Sequence, residues 1–281
     1  MDCFYINLDS AEDRQRHLEE NFAAYKQPGW TLTRFPAIDK TYIERTNVPG
    51  ATRPGEKGCF LSHQLLMERQ IGGEKNYLIL EDDAAFGANT CALIDKMLSQ
   101  GNSPDWDILF TDVCIPNMPL MFELVKYRRG LAEKKIDVAF LDLRGLEFAG
   151  STAYIVNGRS KRKVYEALTA CRTLDLPYDL YLRQLAHRGI LNIYSLFPFV
   201  TTVSDFCDAS QIKAAGNPVE LTWNLFRRMI WTERNLGRCT SMLDSFRQTW
   251  CRDEPAVTVP GTDEELSAFT YLFSSMAAIR T

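Results

Sequence analysis

The chain is most informative first for what it lacks. It has eight cysteines, Cys3, Cys59, Cys91, Cys114, Cys171, Cys207, Cys239 and Cys251, but no two form a C-x-x-C pair. That excludes a zinc module of the usual spacing and a small disulfide scaffold. The start, Met1-Asp2-Cys3-Phe4-Tyr5-Ile6, has no basic segment followed by an apolar one, so no signal peptide is expected. No apolar run approaches the roughly 20 residues that span a bilayer. The expectation is therefore a cytoplasmic protein with reduced thiols. There is no excess of either charge sign: the formal net charge is −4, which gives no case for nucleic acid as a partner. There is no internal repeat and no low-complexity tract.

What is present is a globular composition, 46% hydrophobic and 24% charged over 281 residues, enough for one large domain and an appendage. Apolar strand-like runs alternate with helical ones. Residues 3–8, 30–35, 77–80, 106–111, 137–143, 150–156 and 191–196 read as strands. Residues 9–24, 59–71, 89–99, 160–170 and 175–187 read as helices. Asp9 or Ser10 is expected to cap the first helix and Asp175 the last of these. Residues 41–58 read as a loop-rich crossover, and 114–135 as a stretch with two prolines whose basic run, Lys126, Arg128 and Arg129, is a solvated face. The alternation predicts an α/β fold with a mixed, mostly parallel sheet flanked by helices. Beyond residue 217 the pattern becomes helical, with a linker over 255–261 and a terminal helix over 263–279. This predicts a catalytic domain over 1–215 and a helical C-terminal extension over 216–281. Arg227, Arg228, Arg234, Arg238 and Arg247 are expected at the solvent edge of that extension. An alternative is a basic surface that touches an anionic membrane or a partner.

The stretch with most chemistry is Tyr77-Leu78-Ile79-Leu80-Glu81-Asp82-Asp83. An apolar strand runs straight into three carboxylates, where ligands bind in open α/β sheets. Adjacent carboxylates repel unless a cation or donors compensate them, and hard divalent ions prefer oxygen ligands. A Mg²⁺ or Mn²⁺ site is one reading, and a solvated acidic turn is the other. Asn7 and Arg14 flank the carboxyl end of the first strand. Ser62 and His63 fall in the first turn of a helix expected to start at Cys59, where anionic ligands are favoured, although a lone Ser-His pair is more often structural. Asp179, in the first turn of another helix, could serve the macrodipole alone.

Three blocks in this order, Tyr5-Ile6-Asn7-Leu8-Asp9 with Asp13-Arg14, Gly58-Cys59-Phe60-Leu61-Ser62-His63, and Leu78-Ile79-Leu80-Glu81-Asp82-Asp83, resemble glycosyltransferase family 25. That family includes bacterial lipooligosaccharide galactosyltransferases and collagen galactosyltransferase domains. Trp106-Asp107-Ile108-Leu109, residues 150–156 and Pro177-Tyr178-Asp179 are similar to family segments, so the likeness covers roughly residues 3–212. The resemblance implies a GT-A (Rossmann-like) fold and an inverting transfer from a UDP-sugar, most often UDP-galactose, to a glycan acceptor. The acceptor could be lipid-linked, as in lipooligosaccharide, or a hydroxylysine-bearing protein. The triplet would stand for the Asp-x-Asp signature, with Glu81 as a departure at its first position. On this reading Glu81 and Asp83 hold Mn²⁺ or Mg²⁺, and Asn7, Leu8, Arg14, Asp39, Ser62, His63 and Asp82 surround the donor. Asp179 is the expected catalytic base, with Asp175 as second candidate. The rivals are a nucleotidyltransferase or a metal-dependent hydrolase of nucleotide sugars, and a non-catalytic protein that binds a glycan or nucleotide.

Overall fold

In the computed structural model, residues 1–209 and 218–234 are described. The elements in order are β1 (Asp2–Asn7), α1 (Glu12–Tyr25), β2 (Thr31–Pro36), α2 (Lys40–Thr46), α3 (Pro54–Arg69), β3 (Tyr77–Glu81), β4 (Ala84–Ala85) and α4 (Thr90–Leu98). There follow β5 (Ile108–Cys114), α5 (Met118–Glu133), β6 (Ala139–Asp142), β7 (Ala149–Val156), α6 (Lys161–Thr169), α7 (Tyr178–His187), β8 (Ile193–Phe197), β9 (Thr202–Val203) and α8 (Pro218–Ile230).

Seven strands form one sheet in the order β2-β1-β3-β7-β5-β8-β6. β1 pairs in parallel with β2 and β3, and β5 with β8, while β7 and β6 run antiparallel to their neighbours. The expected mixed α/β sheet is what forms. The interior of β3 is covered on both faces because its side chains alternate. Tyr77 and Ile79 enter a core shared with Phe60, Leu66, Val164, Leu182 and Phe226. Leu78 and Leu80 enter the opposite core, with Leu18 and Phe22 of α1 and Ile94 of α4. A two-stranded ribbon, β4 with β9, follows the acidic triplet directly; the sequence reading did not include it.

The topology decides where the site lies. β1, β3 and β5 point their carboxyl ends the same way. β7 is inserted antiparallel between β3 and β5, so its amino end meets those carboxyl ends. Residues 149–151 are thereby brought beside Glu81 and Cys114.

Several boundaries differ from the sequence reading, each for a local reason. α3 begins at Pro54, not Cys59, because proline suits a first helical turn and the Glu56 carboxylate accepts from the Arg53 N–H at 2.9 Å. Ser62 and His63 therefore sit in the middle of the helix, not in its first turn. The crossover also holds α2, capped by Asp39, which accepts from the Tyr42 N–H at 2.7 Å. The stretch with two prolines, to which no element was assigned, contains α5, which uses Asn117 as cap and Pro119 in its first turn. α1 starts after Ala11 with no side-chain cap, and α7 starts after Pro177, so neither Asp9, Ser10 nor Asp175 caps a helix.

The arginines need larger corrections. Arg128, read as solvated, is buried and donates to the carbonyls of Met229, Trp231 and Arg234. Arg227 and Arg228, expected at the solvent edge, are also buried. α8 packs on β5, and its Phe226, Met229 and Ile230 belong to the main core. The expected domain boundary at 215/216, the linker, the terminal helix, Arg238 and Arg247 lie outside the described residues. No helix among the described residues is long and apolar enough to cross a membrane.

Candidate active site

At the end of β3 the chain leaves the sheet and the three acids separate. Glu81 and Asp83 line a cavity of about 440 Å³, whereas Asp82 is turned away from it. Asp82 and Asp83 form the turn between β3 and β4, and that turn separates their carboxylates. Asp82 meets Arg14 Nε at 2.8 Å and accepts from Asn7 Nδ2 at 2.9 Å. Arg14 also reaches Asp83, at 3.1 Å. Asn7 is held in turn by Arg34, which donates to its side chain at 3.0 Å and to its carbonyl at 3.2 Å. Asn7, Arg14 and the triplet thus form one network at the carboxyl ends of β1 and β3.

The electrostatics of the three acids diverge. Burial opposes the charge of Asp83, and repulsion from Glu81 adds to it, so that its carboxyl is pushed up to about 7 despite Arg14. Its Oδ1 is buried with no hydrogen-bond donor among the described residues. Burial also raises Asp82, against the pull of Arg14 and Asn7. For Glu81 the balance reverses. Burial opposes ionisation, but His63 and the Ser151 hydroxyl outweigh it and hold the carboxyl below its usual range. An ionised Glu81 next to a buried Asp83 that cannot ionise cheaply is the arrangement a divalent cation would complete. The oxygen donor set suits a hard ion such as Mn²⁺ or Mg²⁺.

Across the same cavity stands Asp179, at the start of α7. Its carboxylate accepts from the Gly150 N–H at 2.7 Å and the Leu180 N–H at 2.9 Å. Gly150 has φ +78°, a conformation that glycine adopts without strain. A Cβ there would also come within 3.8 Å of Arg227.

The remaining expected residues lie elsewhere. Leu8 lies in the turn after β1, where its carbonyl accepts from the Ala11 N–H at 2.9 Å. The Ser62 hydroxyl is committed to backbone: it donates to Gly58 O at 2.6 Å and accepts from the Ile38 N–H at 2.8 Å. Gly58 is required at this contact, since a Cβ would lie 2.3 Å from Ile38 O. His63 is fully buried behind Glu81. Asp39 is exposed and its carboxylate caps α2. Asp175 is bound to the Ala51 N–H and the Thr173 hydroxyl, outside the cavity lining.

The sequence reading missed Arg227 as a cavity residue. Its guanidinium lines the cavity and makes a two-pronged ion pair with Asp112, which is fully buried at the end of β5; the Nε contact is 2.7 Å. Burial opposes the charge on both partners. It raises the Asp112 carboxyl, while Asp112 holds Arg227 firmly protonated. A signal was available. Trp223, Phe226, Arg227 and Ile230 share helical spacing, so Arg227 falls on the apolar stripe and not opposite it.

A wider depression of about 600 Å³ lies at the other end of the sheet, around Asp2, Lys75 and Trp106. None of the candidate site residues lines it.

Residues 1–182 match the family model described as Glycosyltransferase family 25 (LPS biosynthesis protein). Over 125 residues the chain is 31% identical to a "Glycosyltransferase 25 family member" of Drosophila pseudoobscura pseudoobscura, covering 38% of this chain and 20% of that protein. A protein of the same description from Aedes aegypti is 26% identical over 125 residues, with the same coverage of each chain. The "Lipooligosaccharide biosynthesis protein lic2B" of Haemophilus influenzae is 28% identical over 103 residues, covering 34% of this chain and 37% of that protein. The chain thus matches only a fifth to under two fifths of the length of these relatives.

Proposed function

The chain belongs to glycosyltransferase family 25, and from that premise we propose that it transfers a sugar from a nucleotide-sugar donor to a glycan acceptor. One observation carries the reading: Glu81 and Asp83, delivered by the carboxyl end of β3, face the same cavity as Asp179. Such a transfer needs a means of stabilising a departing diphosphate and a base for the acceptor hydroxyl. Both kinds of group are present here on separate elements.

Glu81 and Asp83 would hold Mn²⁺ or Mg²⁺, which supplies Lewis-acid stabilisation of the leaving diphosphate when bound. Arg14 and Asn7 fix Asp82, and through it the turn that presents its two neighbours. Asp179 would accept the proton of the attacking hydroxyl. Its contacts with two backbone N–H groups orient it for that task. In an inverting reaction this base stands opposite the leaving group.

We read the donor as UDP-galactose, which the family resemblance supports. We read the acceptor as a lipooligosaccharide-type, lipid-linked glycan, which the family description and the name of the Haemophilus relative support. A cytoplasmic enzyme visiting the inner membrane face would suit that acceptor. Arg227 and Arg228 contribute nothing to such a surface, because they are buried.

The test is release of UDP from a panel of UDP-sugars, with and without EDTA and with a lipooligosaccharide core acceptor. Ion-dependent release that rises with acceptor is expected. Asp179→Asn should retain donor binding and lose about a hundredfold or more of turnover, the usual scale of a positioned base. Near-normal transfer by this variant would remove Asp179 from the mechanism. Release indifferent to acceptor would favour hydrolysis.

A further inference from the structure

Behind Glu81 lies a second set of donor atoms that the proposed transfer does not use. Cys59 and His63 are four residues apart on α3, so one face of the helix presents both toward Glu81. The Cys59 sulfur, a His63 ring nitrogen and a Glu81 oxygen all lie within 4.8 Å of one another. Cys59 and Glu81 line the cavity, while His63 is fully buried at its back.

The histidine is held as a ligand would be. Its ring stacks on Tyr178 with centroids 4.1 Å apart and planes 4° from parallel. Its Nδ1 is 2.7 Å from the Tyr154 hydroxyl, which is itself 2.8 Å from the Tyr178 hydroxyl. With Nδ1–H donating to Tyr154, Nε2 is the nitrogen left to ligate, giving up any proton it holds toward Glu81 when an ion binds. Orientation by a hydrogen bond from the other ring nitrogen is a regular feature of ligating histidines. Nε2 is buried and has no hydrogen-bond partner among the described residues. It points at Glu81 Oε1 from 3.6 Å, too far for a hydrogen bond. A tetrahedral ion with N and O ligands at about 2.0–2.2 Å sets those atoms about 3.4 Å apart. The same geometry sets sulfur and nitrogen about 3.6 Å apart, within the 4.8 Å that encloses all three donor atoms.

We propose that Cys59, His63 and Glu81 form a binding site for a borderline-soft divalent ion of the Zn²⁺ class. Sulfur and imidazole nitrogen select such an ion over Mg²⁺ or Mn²⁺, which the oxygen atoms of Asp83 and its neighbours favour. Three protein ligands leave a fourth tetrahedral position, and the cavity is on the open side. Glu81 belongs to both sets, so an ion held by Cys59 and His63 competes for the carboxylate that the transfer reaction is proposed to use. The binding itself does not rest on the chain being a transferase.

The test is a Co²⁺ titration of the metal-free full chain, followed by thiolate-to-cobalt charge-transfer absorption. The expected result is one equivalent bound with a single thiolate band, displaced by equimolar Zn²⁺ and untouched by excess Mg²⁺. Cys59→Ser should abolish the band. Glu81→Gln should keep it with affinity lowered about tenfold or more, and Cys171→Ser should leave it unchanged. Each variant is first checked by circular dichroism for a wild-type fold. Absence of a thiolate band from the wild-type chain overturns the proposal. So does a band that survives Cys59→Ser, since another cysteine then provides the sulfur. Because the readout is absorption, a chain that transfers no sugar could still pass, and an active transferase could still fail.

Discussion

Asp83 is where function and stability pull in opposite directions. Its carboxyl is pushed from an ordinary value near 3.8 up to about 7, by burial first and by Glu81 second. An acid whose folded pKa is raised binds more protons folded than unfolded between those two values. Without metal, its contribution therefore lowers stability as pH rises from about 4 to about 7, after which the loss is complete. Asp83→Asn removes the cost. At pH 8 in EDTA the variant should be more stable than wild type by on the order of 1–3 kcal/mol, and the gap should close toward pH 4. Urea melts at both pH values measure it. A variant less stable than wild type at pH 8 would mean that Arg14 already neutralises this carboxylate. Mn²⁺ should stabilise the wild type and leave Asp83→Asn unmoved.

At the scale of elements, α8 is joined to the sheet by chemistry as well as by packing. Phe226, Met229 and Ile230 enter the core. Arg227 pairs with Asp112 of β5, and Arg128 of α5 donates to three carbonyls at the end of α8 and just beyond. Removing one partner of a buried ion pair costs about 3–5 kcal/mol, because the other charge is left behind. Arg227→Met should destabilise by that amount in a urea melt. Adding Asp112→Asn should recover much of it, since no buried charge then remains. Equal losses in the single and double variants would show that the packing of Arg227, and not its charge, matters. Either variant should also change the cavity, because Arg227 lines it.

For the whole molecule, the site stands where separate stretches of chain converge: the ends of β1, β3 and β5, the start of β7, the first turn of α7 and one face of α8. A ligand bound there couples to global unfolding. At a hundredfold excess over its Kd it adds about 2.7 kcal/mol. For a chain of this size that is a rise in Tm of roughly 5–10 °C. The correct UDP-sugar with Mn²⁺ should give such a shift, EDTA should abolish it, and the wrong sugars should give less. A flat response to every UDP-sugar would count against the proposed donor class.

The triplet, the apolar strand before it and the alternation of strands and helices were legible in the sequence because each is local. Burial on both faces leaves β3 unbroken by polar residues, and three carboxylates at its end are conspicuous in any fold. Asn7 and Arg14 were legible for the same reason: Asn7 ends β1, and Arg14 lies in the first turn of the helix that comes next. What the sequence could not decide were matters of approach between distant segments. The antiparallel insertion of β7 sets Gly150 and Ser151 against Asp179 and Glu81. The Ser62 hydroxyl goes to Ile38 because α3 crosses the end of β2 at Gly58. Arg227 of α8 is buried because Asp112, 115 residues earlier, supplies the opposite charge, and Arg228 because the Val203 and Ser204 carbonyls accept from it. Charge by itself marks a residue as solvated. Only a partner brought close in a low-dielectric interior reverses that, and the partner is chosen by topology.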